Sequence, residues 1–353
     1  MSSTIKRNKY EIDMCNGTIM DKLISFSLPL MLSGILQLMF NAVDIIVIGR
    51  FSGSQSLAAV GSTTALINMF TNLFIGISLG ANVLSARFYA AGKDKEMSET
   101  VHTAITLALI SGIIMVFVGL IFAKPVLELM DTPDDVINLS TLYMRIYFMG
   151  MPFFMLYNYG ASILRAVGDT KRPLFYLIVA GIANAGLNMC LVIIFHLGVA
   201  GVAIGTVISQ LISSILVLRC LYQSETSYQL RFSKLKIQKE YLKQIFQVGI
   251  PAGIQSTVIN FSNVLLQSSV NSFGSIAMAG YTAANNIFGF LYVTVNAVTQ
   301  ACMSFTSQNY GVGKWKRMDR VLIDCLILSF VAMMILGNSA YFFGPKLLTY
   351  LYK

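Results

Sequence analysis

An acidic side chain inside a long apolar stretch is the first chemical feature of this sequence. Asp44 lies within residues 24–48, which contain no other Asp, Glu, Lys or Arg. Gln37 and Asn41 precede it at helical spacing, so the three side chains share one helix face. A buried carboxylate can take up a proton or hold a small cation, which makes Asp44 a candidate functional group. The alternative is an ion pair with nearby Arg50 at an exposed helix end.

Uncharged polar side chains recur in other apolar stretches at the same helical spacing. Asn184 and Asn188 form one pair, four residues apart. Later stretches carry polar groups along one face, namely Asn260, Asn263 and Gln267 in one and Tyr292 and Asn296 in the next. Such groups either bond between helices or line a polar cleft, and both interpretations stay open. We group this later set with Gln37 and Asn41 as candidate cleft residues.

The elements that must position these residues are hydrophobic. Of the 353 residues, 56% are hydrophobic and 12% are charged, and the mean hydropathy is +0.69. The charged fraction is about half that of a soluble domain, too low to cover a surface in water. We therefore expect an all-α, polytopic membrane protein. The sequence contains no GxxxxGK[ST] loop and no HExxH motif, so neither an enzyme nor a cofactor is expected.

Nine stretches are long enough to cross a bilayer, which takes about 20 apolar residues in a helix. They are residues 24–48, 57–85, 101–123, 137–162, 172–195, 199–222, 243–271, 277–307 and 320–343. These spans define four regions. We expect a cytoplasmic N-terminal segment at 1–23, a six-helix lobe at 24–222, a cytoplasmic linker at 223–242, and three helices of a partial second lobe at 243–353.

The basic residues predict how the chain is oriented. Most of the 25 lysines and arginines lie in the N-terminal segment and in the loops after spans 2, 4, 6 and 8. The segments on the other side contain only Arg50, Lys124, Lys346 and Lys353. Because basic residues accumulate in cytoplasmic loops, we expect a cell-membrane protein with its N-terminus in the cytoplasm. Topology thus accounts for the net charge of +9, and no nucleic-acid partner is expected.

The sequence contains an internal repeat. At one constant offset Pro29 aligns with Pro251 and Asn41 with Asn263, and residues 89–93 align with 310–314 at nearly the same offset. Spans 1–3 therefore correspond to spans 7–9. The first unit has six spans, so both units enter the membrane from the same side, as in transporters whose substrate cleft lies between two lobes. A full second copy would need three more spans, so we expect the chain to be incomplete.

Five parts of the sequence, taken in order, form a recognisable set of motifs. They are 44–50 (DIIVIGR) with 57–61 (LAAVG), 143–146 (YMRI) with 150–153 (GMPF), 164–173 (LRAVGDTKRP), 184–188 (NAGLN) with 201–206 (GVAIGT), and 249–253 (GIPAG). In this order and spacing they resemble the multidrug and toxic compound extrusion (MATE) family of secondary transporters. The resemblance covers all nine spans. It implies a two-lobed, twelve-helix antiporter that exports organic cations in exchange for protons or sodium.

The resemblance also implies a cation-coupling site made of Asp44, Asn184, Asn188 and Thr206. In the family's pattern the position of Asn188 is often an aspartate, so the site in this chain carries one charge fewer. That difference favours a proton as the coupling ion, with sodium near Asp44 as the alternative. No other metal site is predicted.

These observations predict a monomeric exporter whose partners are the lipid bilayer and small organic cations. One alternative is a flippase for lipid-linked saccharides, because related folds do that work. A flippase groove should carry several basic residues, whereas only Arg145 lies inside a span. The other alternative is a truncated, non-transporting remnant that acts as a membrane scaffold.

Overall fold

The computed structural model describes residues 9–130, 132–271, 273 and 275–351, which form helices and loops without any strand. The helices are α1 (Met20–Phe51), α2 (Gly53–Ala90), α3 (Asp94–Leu129), α4 (Asp134–Met149), α5 (Met151–Ala166), α6 (Lys171–Met189), α7 (Gly198–Tyr222), α8 (Lys239–Asn271), α9 (Ser275–Gly311) and α10 (Trp315–Leu351). A π-helical turn (Cys190–Ile194) extends α6, and a 3-10 turn (Phe232–Lys234) lies between α7 and α8. The prediction of an all-α helical bundle is confirmed.

The helices are built to cross a membrane. Seven helical segments of the described chain are long and apolar enough to do so, on α1, α2, α3, α6, α7, α9 and α10. Their outer faces carry large apolar side chains, such as Phe117 on α3 and Phe330 on α10, both more than half exposed. Side chains of this kind on the outside of a helical bundle are compatible with lipid and not with water. The protein is therefore a multi-pass membrane protein.

The fourth predicted span is interrupted. Residues 137–162 form two helices, α4 and α5, which meet at Gly150. Pro152 stands in the first turn of α5, where its missing N–H group breaks no intrahelical bond. Its backbone packs on Gly112 of α3, so closely that a Cβ on Gly112 would lie 2.4 Å from the Pro152 Cα atom. The expectation of one continuous helix here is corrected to two short ones.

Two hydrophobic clusters hold the bundle together, and α1 contributes to both. The larger cluster includes Val47 and Ile48 near the end of α1 and buried residues of α2 to α7. The smaller cluster joins Phe26 near the start of α1 to Phe305 of α9 and Val321 of α10. The first helix therefore packs on helices between α2 and α7 at one end and on α9 and α10 at the other.

Glycines allow α8 to pack directly on α2. Gly76 and Gly80 of α2 face Gly249 and Gly253 of α8, and a Cβ on Gly76 would lie 2.3 Å from the Gly253 Cα atom. A Cβ on Gly80 would lie 2.2 Å from the carbonyl oxygen of Ile245. Pairs of small residues four apart let membrane helices approach backbone to backbone. This contact joins α2 directly to α8, which belong to the two units predicted from the sequence.

Residues 76–80 (GISLG) have the spacing of a GxSxG hydrolase motif. That motif requires a sharp turn between a strand and a helix, which exposes the serine. Here Ser78 lies inside α2, is 2% exposed, and donates to the carbonyl of Ile75 at 2.7 Å. The match is therefore a helix-packing sequence and not a nucleophile.

Candidate functional site

Asp44 is buried in the six-helix lobe. Its side chain lies on the later part of α1, and the residue is 8% exposed. Asn188 of α6 donates its Nδ2 hydrogen to Asp44 Oδ1 at 2.5 Å. Among the described residues Asp44 forms no ion pair with Arg50, which is itself exposed. The alternative of an exposed ion pair at the helix end is therefore wrong.

The hydrogen bond to Asp44 begins a short polar network. Asn188 Nδ2 also donates to Asn184 Oδ1 at 3.3 Å, and Asn184 Nδ2 donates to Thr206 Oγ1 of α7 at 3.4 Å. The i, i+4 spacing of the two asparagines places both on the face of α6 that meets α1 and α7. The four residues that the resemblance grouped as a site thus lie together, although their role in coupling stays a prediction.

Gly205 makes the position of Asn188 possible. A Cβ at residue 205 would lie 2.2 Å from Asn188 Oδ1, so no larger residue fits while Asn188 keeps its place. The same Oδ1 atom is buried and has no hydrogen-bond partner. This oxygen and the Asp44 carboxylate are acceptor groups of the kind that suit a proton or a hard cation such as sodium. The sequence analysis quoted Gly205 within a motif but did not recognise its contact.

The network forms one wall of a cavity of about 360 Å³ between α1, α2 and α4 to α7. Gln37, Asn41 and Asp44 all line it, as their shared helix face predicted. Five aromatic side chains are also among the lining residues, namely Phe40, Tyr143, Tyr147, Phe154 and Tyr157. Among the described lining residues Asp44 is the only acidic one, and none is a lysine or an arginine. The described lining therefore combines one carboxylate with amide, hydroxyl, aliphatic and aromatic side chains.

The sequence analysis missed the aromatic lining of this cavity. Tyr143 and Tyr147 are four residues apart on α4, a spacing that indicates a shared face but not what the face contacts. Phe40 reaches the cavity because its ring packs on Gly181 of α6, where a Cβ would overlap it. Only the packing of α1 on α6 could have shown this.

The later candidate residues lie elsewhere. None of Asn260, Asn263, Tyr292 and Asn296 lines the cavity around Asp44. Asn260 donates to the carbonyl of Ser256 in its own helix at 2.8 Å, and Tyr292 is 48% exposed. The side chain of Gln267 lies outside the part of the structure that is described. Their assignment to a cleft between the lobes stays a prediction, separate from the Asp44 cavity.

One end of the molecule carries the N-terminal segment and the loops after α2, α5, α7 and α9. We call it the basic end. Helices α5 and α9 meet there. Arg165 of α5 donates to Gln300 Oε1 of α9 at 2.9 Å. Gln308 of α9 donates to the carbonyl of Ala166 at 2.7 Å. These bonds hold α9 against the end of α5 and close the molecule on this side.

Residues 9–19, which precede α1, lie across the basic end. Glu11 accepts hydrogen bonds from the hydroxyls of Tyr89 and Tyr228, at 2.6 and 2.7 Å. Burial raises the pKa of Tyr228, so this phenol keeps its proton and remains a donor. The N–H of Ile12 donates to the carbonyl of Gly168 at 3.2 Å. Residues 9–19 are thereby fixed to the six-helix lobe.

The same residues are fixed to the later helices. Asn309 Nδ2 of α9 donates to the carbonyl of Met14 at 3.1 Å, and Lys314 Nζ donates to that of Cys15 at 2.8 Å. Arg317 of α10 adds a bond to the carbonyl of Gly17 at 2.9 Å. Residues 9–19 thus tie the two parts of the protein together at the basic end.

Comparison with known proteins gives a consistent result. A family model described as MatE matches residues 29–194 and 251–353. The probable multidrug resistance protein YoeA of Bacillus subtilis (strain 168) is 32% identical over 333 residues, which are 92% of this chain and 72% of that protein. The multidrug export protein MepA of Staphylococcus aureus (strain NCTC 8325 / PS 47) is 23% identical over 321 residues, which are 91% of this chain and 70% of that protein.

The fold agrees with the sequence comparison. A solved outward-facing multidrug resistance transporter of the MATE family, in the MOP superfamily, superposes with a TM-score of 0.91 at 21% identity. The match covers 99% of this chain and 77% of that one. The predicted resemblance and fold are both confirmed, and the chain corresponds to only part of the length of these relatives. This protein belongs to the MATE family of multidrug efflux transporters.

Proposed function

We propose that the protein is a secondary active antiporter that exports small organic cations in exchange for protons or sodium. The observation that carries the proposal is the single carboxylate of Asp44 among the described residues of a cavity that is also lined by amide, hydroxyl, aliphatic and aromatic side chains. Aromatic faces attract organic cations, and a buried carboxylate adds a full opposite charge. The cavity thus offers binding for a positive, partly aromatic compound of modest size.

Coupling requires that the substrate and the ion compete for one group. Asp44 can be neutralised by a proton or by a bound cation, and in either state it attracts a positively charged substrate less strongly. Asn188, whose amide donates to Asp44, stabilises the ionised form. Because residue 188 is an asparagine, the site has one carboxylate, which favours proton exchange over sodium exchange. Release of the substrate would then follow ion uptake by Asp44.

The lining of the cavity also favours the exporter over the flippase. A lipid-linked saccharide carries phosphate, which basic side chains would have to neutralise. The described lining contains neither lysine nor arginine. The phosphate of such a substrate would meet the Asp44 carboxylate instead, which is unfavourable.

The decisive experiment measures efflux with the purified full chain in proteoliposomes. Ethidium transport is followed under an imposed proton gradient and, separately, under a sodium gradient. We expect transport under the proton gradient and its loss in Asp44→Asn. Asp21→Asn is the matched control, because Asp21 is an exposed carboxylate in the first turn of the same helix. Unchanged efflux in Asp44→Asn at equal protein levels would refute the mechanism.

The orientation in the membrane is a further part of the proposal. The basic end carries the loops rich in lysine and arginine, so we propose that it faces the cytoplasm of the cell and that the protein resides in the cell membrane. We also propose that the protein acts as a monomer, which native mass spectrometry can check.

A further inference from the structure

A second cavity lies at the basic end, away from Asp44. It has a volume of about 440 Å³ and lies between the first turns of α3 and the segment that links α7 to α8. Its lining includes three lysines, Lys95 from α3 and Lys234 and Lys236 from the linking segment. Glu99 is the single acidic residue among the described lining residues, so the charge of the cavity is positive.

The linking segment is held in place on α3. The N–H of Arg231 donates to His102 Nε2 at 3.1 Å, and His102 Nδ1 lies 2.6 Å from the carbonyl of Ser98. Since Nε2 accepts, the ring proton belongs on Nδ1, where it donates to that carbonyl. The N–H of Gln238 donates to Thr103 Oγ1 at 3.2 Å. These bonds lie on both sides of Lys234 and Lys236, so the cavity is a built feature of the fold.

The described residues include no ion-pair partner for any of the three lysines. Three lysines against the one carboxylate of Glu99 leave the lining net positive, which favours an anion. A phosphate group offers several acceptor oxygens to such lysines.

Two aromatic rings place this cavity at the level of lipid headgroups. Tyr222, the last residue of α7, stacks on Phe232 with ring centroids 5.8 Å apart. Both side chains are more than half exposed. Exposed aromatic rings at the end of a membrane helix are typical of the interface between lipid tails and water. Phe232 is only two residues from Lys234, so the lysines reach the same layer.

We propose that this cavity binds the phosphate of an anionic phospholipid headgroup. Lys95, Lys234 and Lys236 contact the phosphate oxygens, while Tyr222 and Phe232 lie against the acyl-chain end of the same lipid. The binding site is distinct from the transport cavity and does not depend on transport activity. It gives the segment between the two lobes a lipid partner in the adjacent leaflet.

Native mass spectrometry of the full chain in detergent tests the proposal. Phosphatidylglycerol is titrated against the wild type and against Lys234→Gln/Lys236→Gln, with phosphatidylcholine as the neutral lipid. We expect affinity for phosphatidylglycerol to fall about 30-fold in the double variant, because each lysine near anionic lipid contributes roughly fivefold. Phosphatidylcholine binding should be weak and equal in both proteins.

The matched control is Lys239→Gln/Lys243→Gln, which removes two exposed lysines at the start of α8 that do not line the cavity. An equal loss of phosphatidylglycerol affinity in both double variants would show only a general electrostatic attraction between the basic end and anionic lipid, and would overturn the proposed binding site. Glycerol 1-phosphate alone is the soluble probe. If it binds as tightly as the lipid, the ligand is a free phosphate compound and the lipid assignment is wrong. Equal thermal unfolding of all variants excludes misfolding as the cause of any loss.

Discussion

Asn188 is the residue on which the geometry around Asp44 depends. Its Nδ2 group donates to both Asp44 and Asn184, and its Oδ1 faces Gly205 with no other polar partner. An amide that serves two acceptors in a confined space has little freedom to move. The geometry of the site therefore requires glycine at residue 205 as well as the polar side chains.

Gly205→Ala tests this dependence without removing any polar group. The added Cβ would lie 2.2 Å from Asn188 Oδ1, so Asn188 must shift and its bond to Asp44 lengthens or breaks. We expect proton-driven ethidium efflux to fall roughly tenfold, as befits the loss of one hydrogen bond to a charged group. Gly186→Ala is the control, because a Cβ at that position on α6 meets nothing within 4 Å. Equal efflux in both variants would contradict the importance of this contact.

Individual polar residues of the site could be predicted from sequence, and their environment could not. Asp44, Gln37 and Asn41 stand out because polar groups are costly in an apolar helix, and helical spacing places them on one face. The grouping of Asn184, Asn188 and Thr206 with Asp44 needed the family resemblance. Contacts such as Gly205 with Asn188, or Phe40 with Gly181, join different helices and leave no periodic signal in the chain.

At the scale of the helices, α2 and α8 pack against each other with direct contact between their backbones. Their backbones meet at Gly76 and Gly80 on one side and Gly249 and Gly253 on the other. Van der Waals contact is the main attraction between helices in lipid, so a contact of this kind is sensitive to a single methyl group. The sequence predicted both helices and their approximate limits. It did not predict the pairing, nor the division of the fourth span at Gly150, because both depend on which helix lies opposite.

Gly80→Ala should weaken the packing of α2 on α8. Its Cβ would lie 2.2 Å from the carbonyl oxygen of Ile245, a backbone atom that cannot rotate away. Overpacking of this kind costs about 1–3 kcal/mol, and we expect a matching drop in the free energy of unfolding measured by titration with sodium dodecyl sulfate. Gly61→Ala, on the same helix but in open space, should change it little. If both variants unfold alike, the two helices are not held by this contact.

For the molecule as a whole, the placement of charge predicts which end faces the cytoplasm. Lys93 and Lys124 lie near opposite ends of α3, and their side chains are 56% and 52% exposed. To test the orientation, Lys93 and Lys124 are replaced by cysteine in two separate variants of a protein whose own cysteines are changed to serine. An impermeant maleimide added to intact cells should label Lys124→Cys and spare Lys93→Cys, and both should react after permeabilisation. Labelling of Lys93→Cys alone in intact cells would invert the topology.

The ties of residues 9–19 to the far end of the sequence have a consequence for biosynthesis. The bond from Asn309 to Met14 spans 295 residues, and that from Arg317 to Met14 spans 303. At about 5–20 residues per second, the ribosome needs roughly 15 to 60 seconds to supply these partners after residue 14 has been made. Until then Met14, which is fully buried in the finished protein, has no site in which to pack. Residues 9–19 are made before α1, yet they are therefore among the last to reach their final position, and their docking requires that α9 and α10 are already in place.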